Sequence, residues 1–150
     1  KVILDQKSPF LKSILINRGT KNGIEKGMTV FHNDYLMGTV IEINYLTSRV
    51  LLLTDLNSKI PVILEPLGMQ AVISGTGKEY GEIQYTKDEY KNEIINNKII
   101  IYTSGLGGLF KSGLPIGKIS SGNTERVDFF SDFRQLEYVK IISYNIKDNN

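Results

Sequence analysis

Short apolar alternations, each closed by a turn signal and none extended into a helical repeat, constrain this chain more than any other feature. Met37, Thr39, Ile41 and Ile43 alternate with Gly38, Val40, Glu42 and Asn44, and Ile83 and Tyr85 alternate with Glu82, Gln84 and Thr86. Residues 49–54 are apolar on both faces, the pattern of an interior strand. Further strands are predicted over residues 11–17, 28–32, 59–64, 70–74, 99–102, 116–120 and 138–144. Asn22-Gly23, Asn33-Asp34 and the turn-rich segments 55–58, 66–68 and 75–77 separate them. The one helix-like window, 87–96, is polar and Asn-rich and predicts at most a turn or two. Strands at roughly 8–12-residue spacing predict an all-β fold with little helix. Roughly eleven strands are too many for one small barrel, so two small β-barrels of about five to six strands each are expected. The first would occupy residues 17–77 and the second would combine 1–16 with 78–150, crossing over at 75–81.

A second feature is Thr103-Ser104-Gly105-Leu106-Gly107-Gly108-Leu109-Phe110, followed closely by Gly113-Leu114-Pro115-Ile116-Gly117. Its glycines break helix and strand, yet Leu106, Leu109 and Phe110 supply more apolar surface than a solvated turn usually carries. No Lys-Ser/Thr closes it as a phosphate-binding loop, and Phe110 stands where the last glycine of a dinucleotide fingerprint belongs. Tyr102 occupies the first glycine of a nucleophile elbow. The loop is built for shape, and Leu106, Leu109 and Phe110 are its candidate partner-binding residues. The competing reading is that Leu109 and Phe110 plug the end of their own barrel.

Composition narrows the function. At 150 residues, 41% hydrophobic and 23% charged, the chain can bury a core. A net charge of +2, with Lys and Arg scattered among Asp and Glu, lacks the basic footprint of a nucleic-acid binder. No apolar run is long enough to span a membrane as a helix. The chain opens on Lys1 without an initiator Met, the mark expected of an excised fragment. Having no cysteine, it has no disulfide, thiol nucleophile or Cys-based zinc site, which suits an oxidising compartment.

Three chemistries deserve weighing against plainer roles. His32, Asp55 and Ser104 follow the chain order of a trypsin-like triad on paired barrels, but Ser104 lacks a glycine frame and the chain is short for two protease barrels. The plainer reading has His32 end a strand and Asp55 open a turn. With one His, no metal or cofactor site is expected. Asp88-Glu89 and Asp128 with Asp132 lack the spacing of a calcium loop and read as solvated loop charge. Tyr80, Tyr85 and Tyr90 with nearby lysines offer a stacking platform for single-stranded nucleic acid, against which their irregular spacing favours core and rim positions. The expectation is a binding or structural module, not an enzyme.

The motifs taken in order go further. Ser8-Pro9-Phe10, Ile14-Leu15-Ile16-Asn17-Arg18-Gly19, Gly23 with Lys26-Gly27-Met28, and residues 47–55 resemble the extracytoplasmic region of the MreC family of rod-shape-determining proteins. So do Asn57-Ser58-Lys59-Ile60-Pro61-Val62, Ser74-Gly75-Thr76-Gly77, the glycine run, and Leu136-Glu137-Tyr138-Val139. The resemblance implies two small β-barrels following a membrane helix and coiled coil, both absent from this sequence. It implies a scaffold of the cell-wall elongation machinery, periplasmic and anchored to the inner membrane, that contacts a class B penicillin-binding protein. Partners of the MreB, MreD and RodZ type would be met through the full-length chain, with self-association into a homodimer or higher assembly. Neither nucleic acid nor a cofactor is implied. Tyr35 stands where the family commonly has glycine, and Asn97-Lys98 replaces the usual Gly-Asp ahead of the Ile99 strand. Arg49, opening a doubly apolar strand, is expected to tie Asp55 or a carbonyl across the barrel mouth.

Overall fold

A computed structural model describes residues 2–3, 12–85, 98–108, 110–133 and 138–142. The fold is all-β, with 3₁₀ turns at Thr20–Asn22 and Leu106–Gly108. Among the described residues twelve strands run in chain order: β1 (Val2–Ile3), β2 (Ser13–Ile16), β3 (Thr29–His32), β4 (Tyr35–Ile43), β5 (Ser48–Leu52) and β6 (Lys59–Glu65). They continue with β7 (Met69–Gly75), β8 (Gly81–Tyr85), β9 (Ile100–Thr103), β10 (Pro115–Ser120), β11 (Asn123–Phe129) and β12 (Lys140–Ile142). Among the described residues no helix is long and apolar enough to cross a membrane.

Strand pairing divides the chain differently from the expectation. β6 to β11 close into a six-stranded antiparallel barrel of order β10-β11-β8-β7-β6-β9, while the other strands form a six-stranded sheet of order β1-β2-β5-β4-β3-β12. Residues 59–75, expected in the first unit, therefore belong with the second, and β2, expected in the second, lies in the first. The crossover is the segment between β5 and β6, not 75–81, which joins two neighbouring barrel strands. Both segments carry turn residues, and a local pattern does not say which turn reverses a hairpin and which changes sheet. The sheet is open among the described residues, with β1 and β12 at its edges.

The barrel fills by period-two burial: Ile60, Val62 and Leu64 from β6, Met69, Ala71 and Ile73 from β7, then Ile83, Ile101, Ile116 and Val127 all point inward. The sheet has its own core of Ile14, Ile16, Val30, Met37, Val40, Val50 and Leu52. β3 and β4 serve both. Val30 and Met37 enter the sheet core, whereas Phe31 and Leu36 join the barrel cluster, so these strands are buried on two faces at the junction. A register shift between Val30 and Phe31 accompanies this division. Ser131 reinforces it by donating its hydroxyl to the Leu36 carbonyl at 3.3 Å.

β11 went unread in the sequence because only Val127 of its seven residues is buried. Its available signal was Ser121-Gly122, a two-residue hairpin turn with Gly122 at φ 80°. The β3–β4 turn is formed by Asn33 (φ 51°) and Asp34 (φ 68°), so Tyr35 begins a strand and lies outside the turn itself. The expected 87–96 window and the Asn97 substitution lie outside the described residues.

Candidate partner-docking surface

The glycine-rich loop leaves the barrel at the end of β9 and returns at β10. Thr103, fully buried, locks its base: the hydroxyl donates to the Lys111 carbonyl at 2.6 Å and accepts the Leu114 N–H at 2.9 Å. The Gly113 N–H donates to the Thr103 carbonyl at 2.8 Å. Above this base, Gly105, Gly107 and Gly108 adopt φ of 80°, 77° and 68°, values a side chain resists. The backbone therefore turns tightly enough to present Leu106, 50% exposed, on top of a loop whose foot is fixed. The Leu106 N–H donates to the Ser104 hydroxyl at 3.2 Å, holding the turn from inside.

The three apolar residues named from the sequence separate here. Leu106 faces solvent, Phe110 is half-buried and packs against the barrel core, and Leu109 lies outside the described residues. Phe110 also walls a cleft of about 270 Å³ between the sheet and the barrel, where Thr39, Ile41 and Leu51 meet Leu53 and Ile60. Sequence reasoning missed this cleft. Its signal is the second apolar face of residues 49–54, a pattern that an interior strand shares.

The structure does not assemble the triad. Both carboxylate oxygens of buried Asp55 accept backbone amides, Oδ2 from Lys12 and Oδ1 from Asn57, each at 2.7 Å. Ser104 accepts Leu106, and no hydrogen bond or ion pair joins His32 to Asp55 or Ser104. Arg49 does not reach Asp55 either. Its guanidinium donates to the Ser13 hydroxyl at 3.2 Å and pairs with Glu42 at 3.4 Å.

A second, polar cleft of about 280 Å³ is lined by Glu79, Arg126, Asp128, Phe130 and Asp132 among others. Arg126 is committed within it, pairing with Asp128 at 3.1 Å and covering the Tyr80 ring at 4.2 Å. Of the proposed stacking tyrosines, Tyr80 thus carries a guanidinium, Tyr85 belongs to β8, and Tyr90 lies outside the described residues, as do Asp88 and Glu89. Among the described residues no group of three or more His, Cys, Asp or Glu is placed to hold a metal ion.

Residues 2–143 match the family model described as rod shape-determining protein MreC, barrel core. A cell shape-determining protein MreC of Cereibacter sphaeroides is 32% identical over 143 residues, covering 94% of this chain and 47% of the relative. The chain thus spans about half the length of that protein. The crystal structure of MreC from Pseudomonas aeruginosa superposes with a TM-score of 0.77 at 31% identity, over 95% of this chain and 99% of that one. A solved complex between a penicillin-binding protein (PBP2) and MreC from Helicobacter pylori aligns with a TM-score of 0.53 at 18% identity, over 80% of this chain and 76% of that one.

Proposed function

The chain belongs to the MreC family of rod shape-determining proteins, and from that premise we propose that it is a non-catalytic scaffold module docking a cell-wall synthase outside the cytoplasmic membrane. The observation that carries the reading is Leu106, an exposed apolar side chain held on a loop whose base is locked by Thr103. An anchor presented on a pre-ordered loop binds without a large ordering cost. The partner is a class B penicillin-binding protein; a penicillin-binding protein (PBP2) has been solved in complex with MreC from Helicobacter pylori. Asp55 and Ser104, spent on backbone amides, support a structural role over a hydrolytic one. The six-stranded sheet serves as the second, open barrel of the pair. In the full-length protein a segment outside this sequence holds the module to the inner membrane and brings copies together.

Binding of a class B penicillin-binding protein ectodomain tests this directly. Leu106→Asp should weaken binding about tenfold while leaving thermal unfolding unchanged, as expected for a peripheral anchor. Phe110→Asp should weaken it as well but also lower stability, because Phe110 packs on the barrel core. A parent fragment that binds no such ectodomain overturns the partner assignment. Unchanged binding in Leu106→Asp removes the loop from the docking surface. Self-association is read by sedimentation, where a strict monomer at high concentration counts against it.

A further inference from the structure

The cleft behind Phe110 has a composition that its position in the sheet does not require. Along β4 and β5, Val40, Val50 and Leu52 fill the sheet core, so the opposite face should be polar if it met only water. Instead that face presents Thr39 and Leu51, direct cross-strand partners, together with Ile41, all half-buried. Leu53, Ile60 and Phe110 close the other side. The rim is charged with one sign: Lys26, beside the Gly27 turn, and Lys59, at the start of β6, are both exposed, and neither pairs with a described carboxylate. Among the described residues the wall holds no Asp or Glu.

We propose that this cleft is a socket for an apolar side-chain anchor in an extended, acid-flanked segment of a partner protein. Its volume, about 270 Å³, falls below the roughly 300–1,000 Å³ of small-molecule pockets. That suits one or two side chains better than a lipid chain or a whole cofactor. The two lysines meet the flanking carboxylates, steering the approach and setting register, while the apolar wall determines how long the segment stays. Phe110 belongs both to the glycine-rich loop and to the wall of the socket. The inference deepens the docking reading by naming the chemistry of the partner segment, and the tests below separate the two.

Two labelled extended peptides serve as probes, each with a central Phe-Leu pair, one flanked by Asp and Glu and its twin by Lys and Arg. The parent chain should bind the acidic peptide about tenfold more tightly than the basic one. The double variant Lys26→Glu, Lys59→Glu should lose that preference, whereas Lys140→Glu, on edge strand β12 outside the cleft wall, should retain it. Thr39→Trp, which fills the cleft from a half-buried strand position, should weaken the acidic peptide at least about tenfold. If that variant does not fold, the lysine reversal decides, since both lysines are exposed. Equal binding of the two peptides overturns the proposal, as does a double variant that keeps the preference. Binding of phosphatidylglycerol vesicles through Lys26 and Lys59, with no peptide binding, also overturns it in favour of a lipid surface. An ectodomain that binds the double variant and Thr39→Trp as tightly as it binds the parent overturns the socket and leaves the docking reading standing. Peptide discrimination without ectodomain binding supports the socket and removes the partner assignment.

Discussion

The Asp55 carboxylate accepts the backbone N–H of Lys12 at 2.7 Å, a bond spanning 43 residues of sequence. It ties the start of β2 to the segment that leaves the sheet for the barrel. The second oxygen caps the same segment through the Asn57 N–H, and Ser58 donates its N–H to the Asp55 carbonyl at 3.0 Å. The β7–β8 turn then packs on this crossover: the Gly77 N–H reaches the Thr54 carbonyl at 2.7 Å and the Gly75 N–H the Ser58 carbonyl at 3.1 Å. A single buried carboxylate thereby organises the junction of sheet and barrel.

Removing that carboxylate should be costly. Two charge-assisted bonds from backbone amides to the buried carboxylate contribute about 1.5–3 kcal/mol each before relaxation, so Asp55→Ala should destabilise by about 2–4 kcal/mol. Asp55→Asn keeps one acceptor and should lose about half as much. Urea unfolding of the two variants checks both the size and the order.

Gly75 is required by space, not by backbone angle. A Cβ there would collide with the Asp55 carbonyl oxygen and with neighbouring backbone, none of which can move without breaking the crossover. Gly75→Ala should lower stability by more than about 2 kcal/mol. Gly107→Ala meets open space and suffers only its positive φ, for a loss of about 1 kcal/mol. Reversal of this order in denaturant midpoints would refute the packing account.

Thr103 should matter beyond its volume. Thr103→Val keeps the shape but removes the hydroxyl that bonds the Leu114 N–H and the Lys111 carbonyl, and should cost about 1–3 kcal/mol. Limited proteolysis should then cleave the 104–112 loop faster than in the parent, because the loop's foot is no longer fixed.

Leu53 lies in the crossover yet is only 2% exposed, inside the barrel cluster. Leu53→Ala should cost about 2–5 kcal/mol, comparable with a residue at the barrel centre. Leu56, three residues on and 65% exposed, should change stability by less than about 0.5 kcal/mol on the same substitution. Thermal unfolding of the pair distinguishes a packed linker from a loose one.

What the sequence determined by itself is local. Alternation with period two marked β4, β6, β7 and β10 close to their true ends, because inward and outward positions are written in neighbouring residues. Asn33-Asp34 announced its hairpin through left-handed preference, and the glycine run announced a loop of unusual shape for the same reason. Leu106 was legible as apolar surface on that loop, which the structure leaves exposed, and the order of motifs was enough to suggest the family. Tertiary structure decided which strands pair. A period-two pattern fits any neighbour equally well, so nothing in residues 59–75 declared that they close a barrel with β8 to β11 instead of extending the sheet. The same limit hid the partner of Arg49 and the dual burial of Phe31 and Leu36. It hid the cleft as well, because Phe110 is remote in sequence from β4, β5 and β6, which form most of the wall, and meets them only once both units have folded.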